Sequence, residues 1–486
     1  MQSAFNRAGF LAGLSATSAL TACASSSAVP SAAGASSGSG PNASPTIAPP
    51  GSVVPTPITH DPTKSDLPSG TPIYLYIIGL VGSTFYRLDA SGTPHALSVS
   101  DNTIPALTFP GSNQLSASAA SAIAQNYPSA WADYSIQVSQ TAPSQISLAK
   151  INTSNIPGLG TGTSAFSGRI YVSVGIPKLP FTVTSGGFTA PIFTAPPGYL
   201  TLFDWIEFSY DSLGNFNGNT TQVDQFGFSL MLNGTPGGTV QGQQSSSRPT
   251  IMNAFAAAAE PFGPSLLVPI PSQAASAYPA GLTYLRAISP KTVIGNSNTG
   301  TLSTYFASAV TNAYNTWKTT PLVTFDTSTG FFTGIVPTSG ANAGSLVFSQ
   351  GNFSTLAALQ TANPPVAFVL TGTNPATNVI LSYDIWQCAN TLASGGAAQK
   401  NVEKMIAAAF NRGVVTNSMN DSTCSTTSNG FYPSGGTFNS WAQRFHQVSV
   451  NGLAYGFPYD DVCNQNPTIA LSSTSSVTIT LGKFFS

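Results

Sequence analysis

Charge is what this chain has least of. Only 6% of its 486 residues are Asp, Glu, Lys or Arg, and the formal net charge is −1. A nucleic-acid binder needs a dense basic surface to neutralise phosphates, and 15 thinly scattered Lys and Arg do not provide one. Histidine is scarcer still, with only His60, His95 and His446. His60 falls in a low-complexity stretch and His95 in the turn-like "GTPHAL". No serine occupies a Gly-x-Ser-x-Gly elbow with a plausible partner, which argues against a serine hydrolase. His446 reads as structural or groove-lining, in a strand-like run. The Gly-rich "GLGTGTSAFSG" (158–168) lacks the lysine and following helix of a phosphate loop. Cys388, Cys424 and Cys463 match no zinc spacing, so metal binding is not expected, and no cofactor is expected.

Long hydrophobic runs are also missing. The one N-terminal candidate, "AGFLAGLSATSALTAC" after Arg7, is too short to span a bilayer comfortably. It ends in Leu20-Thr21-Ala22-Cys23 and resembles a bacterial lipoprotein signal, with Cys23 as the acylated first residue of the mature chain. That predicts an extracytoplasmic protein whose membrane contact is an N-terminal lipid anchor. Ala24 stands where an aspartate commonly retains lipoproteins at an inner membrane, so the outer membrane or cell surface is the expected site. Cys388, Cys424 and Cys463 remain, enough for one disulfide with one thiol left over.

What the chain does have is length, 42% hydrophobic residues, 45 Gly and 37 Pro. That mixture favours turn-rich β structure in two or three domains. Residues 24–70, nearly all Ser, Ala, Gly, Pro and Thr, read as a disordered tether behind the signal at 1–23. From 71 to 240, strand-like runs recur with turn signals between them, among them "IYLYIIGL", "GRIYVSVG", "YLTLFDWIEFSYD" and "QVDQFGFSLMLNG", as in a sandwich or barrel. Residues 234–249 look like a linker. A mixed α/β region follows at 250–436. Its helices include one with Phe306, Val310, Ala313, Tyr314 and Trp317 on a single face, and another with Val402, Met405, Ile406, Ala409 and Phe410, stopped by Gly413. Residues 437–486 read as strands that rejoin the β domain, making the α/β part an insertion.

Against this uncharged background, Glu207, Asp211 and Asp224 gather in one short stretch. Strand alternation puts Ile206, Phe208 and Tyr210 on one face and Glu207, Ser209 and Asp211 on the other. "SLGNFNGNT" reads as a long turn, and Asp224 shares the parity of Phe226, Phe228 and Leu230 on the returning strand. Two such carboxylates can cleave a glycosidic bond, one protonating the leaving oxygen while the other activates water or attacks directly. By pattern alone, a solvated polar face accounts for the arrangement better than a catalytic pair.

The stretch resembles the catalytic hairpin of glycoside hydrolase family 64, the β-1,3-glucanases with a thaumatin-like β domain. Glu207-Phe208-Ser209 and Thr221-Gln222-Val223-Asp224 match that family's Glu-Phe-Thr strand and later Thr-x-Val-Asp. "IYLYIIGLVGSTFYRLDASGTP" is similar to its opening strands and "GRIYVSVG" to the strand ahead of the hairpin. "AAAFNRGV" is similar to a helix of its α/β domain, and "NGLAYGFPYDDV" with "NPT" to its C-terminal signature. The resemblance implies a thaumatin-like sandwich or barrel, an inserted α/β domain and a wide groove between them. It implies an inverting hydrolase of β-1,3-glucan that releases short laminari-oligosaccharides and acts as a monomer, with Glu207 as general acid and Asp224 as general base. Ser209, Asp211, Phe216 and Thr221 would line the groove. Asp460 and Asp461, of "YDDV", would either contact sugar or hold a turn. Ser209 stands for Thr, Asp211 for Asn and Phe216 for Trp. The added charge of Asp211 is expected to raise the acid's pKa. The competing reading is a glucan-binding lipoprotein that uses the same groove without turnover.

Overall fold

A computed structural model describes residues 57–486 apart from 106–115, 126, 186, 190–193, 195–198, 236–239, 243–245, 371–378, 416–418, 421–429 and 474. Cys23 and Cys424 lie outside the described residues. Cys463 is disulfide-bonded, and Cys388 is a buried free thiol.

Two sheets enclose the first core. The larger has eight strands, in the order Ile469–Leu471, Phe216–Thr220, Leu202–Tyr210, Phe166–Val174, Ile73–Val81, Thr84–Leu88 and Pro94–Ala96, with Ile136–Val138 also pairing on Ile73–Val81. The smaller has five: Val240–Gly242, Leu230–Thr235, Ser476–Leu481, Pro57–Asp61 and Ser144–Ser147. Alternate residues of the two, among them Ile77, Ile170, Ile206 and Phe208 from one and Ile58, Leu230, Leu232 and Ile479 from the other, pack as one apolar layer. The larger sheet is covered on its other face as well. There Tyr74, Tyr76, Tyr171, Phe203 and Trp205 pack with Phe181 and Leu179. Burial on both faces explains why "IYLYIIGL" carries no alternation.

The second core belongs to the α/β region. A five-stranded sheet (Val366–Leu370, Leu346–Gln350, Gly330–Ile335, Leu322–Asp326, Met419–Asn420) packs with helices Ala307–Trp317 and Ala397–Arg412. Both helices bury the faces expected of them, and Gly413 ends the second at φ 72°, a conformation that favours glycine. No helix among the described residues is long and apolar enough to cross a membrane.

Four expectations change. The tether gives way to ordered chain before Gly70: Pro57–Asp61 is an inner strand, parallel to Ser476–Leu481 and antiparallel to Ser144–Ser147. Its Pro/Thr-rich composition concealed the alternation that buries Ile58 and His60 completely. Second, the stretch expected to link two domains contributes the strand Val240–Gly242 and the start of the helix Arg248–Ala256. Third, strands do not resume at 437. Ser440–Val448 is a helix, capped by the Asn439 side chain, and its Trp441, Ala442 and Phe445 enter the α/β core. That 3.6-residue spacing outweighs the β-propensity of the residues after it. The chain rejoins the first two sheets only at Ile469–Leu471 and Ser476–Leu481.

The fourth change matters most for the site. "QVDQFGFSLMLNG" is not one strand. Gln225–Phe226 pairs with Tyr284–Ile288 of the α/β region, and Leu230–Thr235 pairs with Ser476–Leu481. Phe226 packs in one core and Phe228 in the other. Equal parity did not mean a common face, because the chain passes from one layer to the next between them.

His60 gives the fold an acid sensitivity. Neither ring nitrogen has a hydrogen-bond partner among the described residues, and burial lowers its pKa to about 4 against the opposing charge of Asp61. The unfolded chain, with an ordinary histidine near 6.5, therefore binds the extra proton first as pH falls. Stability is complete above that value, declines below it and levels out below pH 4. The loss amounts to about 3 kcal/mol at 1.36 kcal/mol per pH unit. Urea unfolding of wild type and His60→Leu at pH 7 and pH 4.5 checks this, and the variant is expected to lack most of the decline.

Candidate active site

Glu207 sits where an aromatic row of the larger sheet turns polar. Phe203, Trp205, Glu207 and Ser209 share one face of the strand Leu202–Tyr210; the first two pack in the aromatic layer, while Ser209 is partly exposed. Cross-strand register sets Glu207 between Arg169 and Asn219, and Ser209 between Ser167 and Asn217. The alternation expected for Ile206, Phe208 and Tyr210, facing the core, holds.

Arg169 is the residue that sequence reasoning missed. It is buried, with its guanidinium 4.8 Å from the Trp205 ring centroid. One nitrogen, Nη2, donates to Glu207 Oε1 at 2.9 Å and lies 3.9 Å from Asp224 Oδ2. Because both distances start from the same atom, these two oxygens are separated by no more than the sum, about 7 Å. A lone arginine inside the apolar "GRIYVSVG" was a visible signal, but its place opposite Glu207 required the register.

Asp224 does not lie on a strand facing Glu207. The returning strand is Phe216–Thr220, joined to Leu202–Tyr210 by a tight turn, and Asp224 follows in the loop beyond it. That loop is held from several directions. Gln222 N–H donates to the Tyr455 carbonyl, and the Gln222 carbonyl accepts from Trp441 Nε1, each at 2.8 Å. The carbonyls of Val223 and Asp224 accept from the Ser289 hydroxyl (2.6 Å) and its N–H (3.0 Å). Ser289 also caps the short helix Pro290–Asn296, whose Lys291 places Nζ 2.5 Å from Asp224 Oδ1. Burial pushes the Asp224 carboxyl up, but Lys291 and then Arg169 outweigh it and hold its pKa below the ordinary value. Asp224 is thus an ionised carboxylate at neutral pH. Lys291, 67 positions from it in the chain, left no trace in the local sequence.

The other expected groove residues divide. Ser209 stands on the Glu207 face. Phe216 does not: it is fully buried and stacks on Phe208 at 5.7 Å, so no sugar can reach it. One register position moves it from the polar face to the core. Asn217 and Asn219 take that face instead. Asp211 holds a turn, its carboxylate accepting from the N–H groups of Leu213 and Asn215 and from the Asn215 amide. It is four strand residues from Glu207, roughly 13 Å along the chain, and its carboxylate is engaged by this turn rather than by the site. Thr221 is buried, and its hydroxyl accepts from Val223 N–H.

Asp460 is fully buried too, which removes it from sugar contact. Its oxygens accept from Arg412 Nη2 (2.8 Å) and Gly456 N–H (2.9 Å) and meet His446 Nε2 at 3.0 Å. His446, in a helix rather than a strand, turns Nδ1 to the Gly452 carbonyl. Asp461 follows in the same turn, its carboxyl raised by burial against the charges of Lys404 and Arg412. The signature "YDDV" therefore secures the segment whose Tyr455 carbonyl holds Gln222. No group of three metal-ligating side chains occurs among the described residues.

Two carboxylates reached by one guanidinium, the second beside a lysine, are an arrangement that can perform acid–base chemistry on a glycosidic bond. The model of a β-1,3-glucanase family, glycoside hydrolase family 64, matches residues 65–481. The chain belongs to that family. It is a β-1,3-glucanase by membership, hence a glycoside hydrolase. Its β-rich architecture is similar to solved family 64 structures. One is a laminaripentaose-producing β-1,3-glucanase in complex with laminaritetraose (21% identity, TM-score 0.62, covering 89% of this chain and 99% of that one). Another is a family 64 domain from Clostridium beijerinckii (20% identity, TM-score 0.62, covering 89% and 100%). A third, from Paenibacillus barengoltzii, is less close (19%, TM-score 0.51, covering 88% and 75%). No curated protein matches this chain.

Proposed function

We propose that this family 64 member hydrolyses β-1,3-glucan with inversion, Glu207 acting as general acid and Asp224 as general base. The observation that carries this reading is Arg169 Nη2, which reaches both carboxylates while Lys291 keeps Asp224 ionised. Glucan would lie across the Glu207 face, in a groove between the β-rich and α/β parts, where Ser209, Asn217 and Asn219 offer hydroxyl and amide groups to the sugars. Protonated Glu207 gives its proton to the glycosidic oxygen as the C1–O bond breaks. Asp224 takes a proton from water whose oxygen bonds to C1 from the opposite face. Glu207 ends ionised and Asp224 protonated, and solvent restores both. The upper bound of about 7 Å between Glu207 Oε1 and Asp224 Oδ2 admits the separation of an inverting pair and the shorter one of a retaining pair, so the inverting assignment rests on the resemblance to family 64 and is what the anomer experiment decides. The products would be short laminari-oligosaccharides, and Cys23 would hold the enzyme at the cell surface through lipid.

Proton NMR of products as they form from linear β-1,3-glucan tests the chemistry. The α-anomer appearing first supports inversion, and the β-anomer first overturns it. Binding without products would leave a glucan-binding protein. Membrane fractionation of cells expressing wild type or Cys23→Ser tests the anchor, and equal membrane retention of both would sink it.

A further inference from the structure

Asp204 occupies a place that sequence rules assign to an apolar side chain. It lies between Leu202 and Ile206 in the core-facing series of the Glu207 strand, and only 3% of it is exposed. Burial pushes its carboxyl up to about 7 even though three N–H groups and the charge of Arg286 oppose this. A group so costly to bury calls for a return.

Its bonds show one. Oδ1 accepts from the N–H of Trp205 at 2.8 Å, within its own strand. Oδ2 accepts from Gly227 N–H at 2.8 Å and Phe228 N–H at 3.4 Å, in the chain that follows Asp224. The Gln225 amide donates to the Phe203 carbonyl at 2.8 Å beside them. The approach is so close that a Cβ on Gly227 would sit 2.2 Å from the Phe203 carbonyl oxygen. Gly227 is held from behind as well, its carbonyl accepting from Arg248 Nε at 2.7 Å. Glu207 lies three residues beyond Asp204 on the strand, and Asp224 three residues before Gly227 in the loop. With the Gln225–Phe203 bond and the salt link through Arg169 of the neighbouring strand, the bonds of Asp204 join the Glu207 strand to the chain that bears Asp224.

We infer that Asp204 is a positioning residue of the hydrolytic site: its carboxylate ties the loop bearing Asp224 to the strand bearing Glu207 and so sets the gap in which water attacks. The inference rests on the acid and base assigned above. An apolar residue would pack the core more cheaply but leave the Gly227 and Phe228 N–H groups without this acceptor. The loop would then settle elsewhere, and a shift of about 1 Å in a catalytic group costs on the order of a hundredfold in rate.

The test compares kcat on linear β-1,3-glucan, laminari-oligosaccharide affinity by calorimetry and thermal midpoint for wild type, Asp204→Asn, Gly227→Ala and Glu207→Gln. Asp204→Asn keeps the shape but replaces one acceptor oxygen with a donor. It is expected to lower kcat about a hundredfold well below its melting temperature, with oligosaccharide affinity within a few-fold of wild type. Gly227→Ala opens the same tie from the other side, so it should repeat that split and decides the matter if Asp204→Asn does not fold. Wild-type kcat in the folded variants, or rate and affinity lost together, overturns the tie. Unimpaired turnover by Glu207→Gln instead overturns the acid assignment.

Discussion

Glu207→Gln is expected to lower kcat on β-1,3-glucan by about a thousandfold, within the range general acids contribute. The amide has the shape of the carboxyl group, and its oxygen still accepts from Arg169, so the strand and its neighbours have no reason to move. What disappears is the proton. A sugar alkoxide is a poor leaving group, and without a donor the C1–O bond must break with full negative charge on oxygen. Oligosaccharide affinity, measured by calorimetry, should stay within a few-fold of wild type. An aryl laminarioside isolates the role: its phenolate leaves without help, so the variant should recover most of its deficit on that substrate. Asp224→Asn should not recover, because the missing step there is activation of water. Glucan turnover within tenfold of wild type by Glu207→Gln would remove it as the acid.

Lys291→Met is expected to move the acidic limb of the pH–rate profile upward by about one to three units, the usual effect of an opposite charge at such distance. Burial raises the Asp224 pKa, while Lys291 and Arg169 lower it, with the lysine the larger of the two. Once the ammonium is gone, burial is opposed only by a guanidinium 3.9 Å away. The base must be ionised to accept a proton from water, so its folded pKa sets where activity falls as pH drops. With the pKa raised, activity is lost at a higher pH. On the plateau between the acidic and basic limbs the rate should change little, since a more basic carboxylate is at least as good an acceptor. Lys291→Arg, which keeps the charge, should hold the limb near its original position. A Lys291→Met profile that overlays wild type would show that Asp224 is not the titrating base.

Much of the site could be read from the chain because it is local. Glu207 and its neighbours alternate on a strand, and alternation follows from backbone geometry without any partner. The helices with Val310 and Trp317, or Met405 and Phe410, were equally legible, since a periodic apolar stripe reports which face is buried. Errors arose where one residue of register or one change of layer decided the outcome. The resemblance puts Phe216 at a family aromatic that faces sugar, but its position in the strand Phe216–Thr220 turns it into the core. Asp224 was assigned the parity of Phe226 and Phe228, but the chain leaves one sheet and enters another between those phenylalanines. The strand at Pro57–Asp61 escaped notice because its partners, Ser144–Ser147 and Ser476–Leu481, lie far along the chain.

The sequence by itself determined the two carboxylates, the strand that presents Glu207, the apolar faces that build both cores and, through motifs in family order, membership of family 64. These properties depend on residues within a few positions of one another, or on their order along the chain. Only the tertiary structure decided what surrounds the carboxylates. It brought Arg169 from the neighbouring strand and Lys291 from a distant helix, assigned Asp460 to a buried knot with Arg412 and His446, and set Asp204 beneath Gly227. Charges and N–H groups act through space over a few ångströms, and in a folded chain that distance bears no relation to separation in sequence.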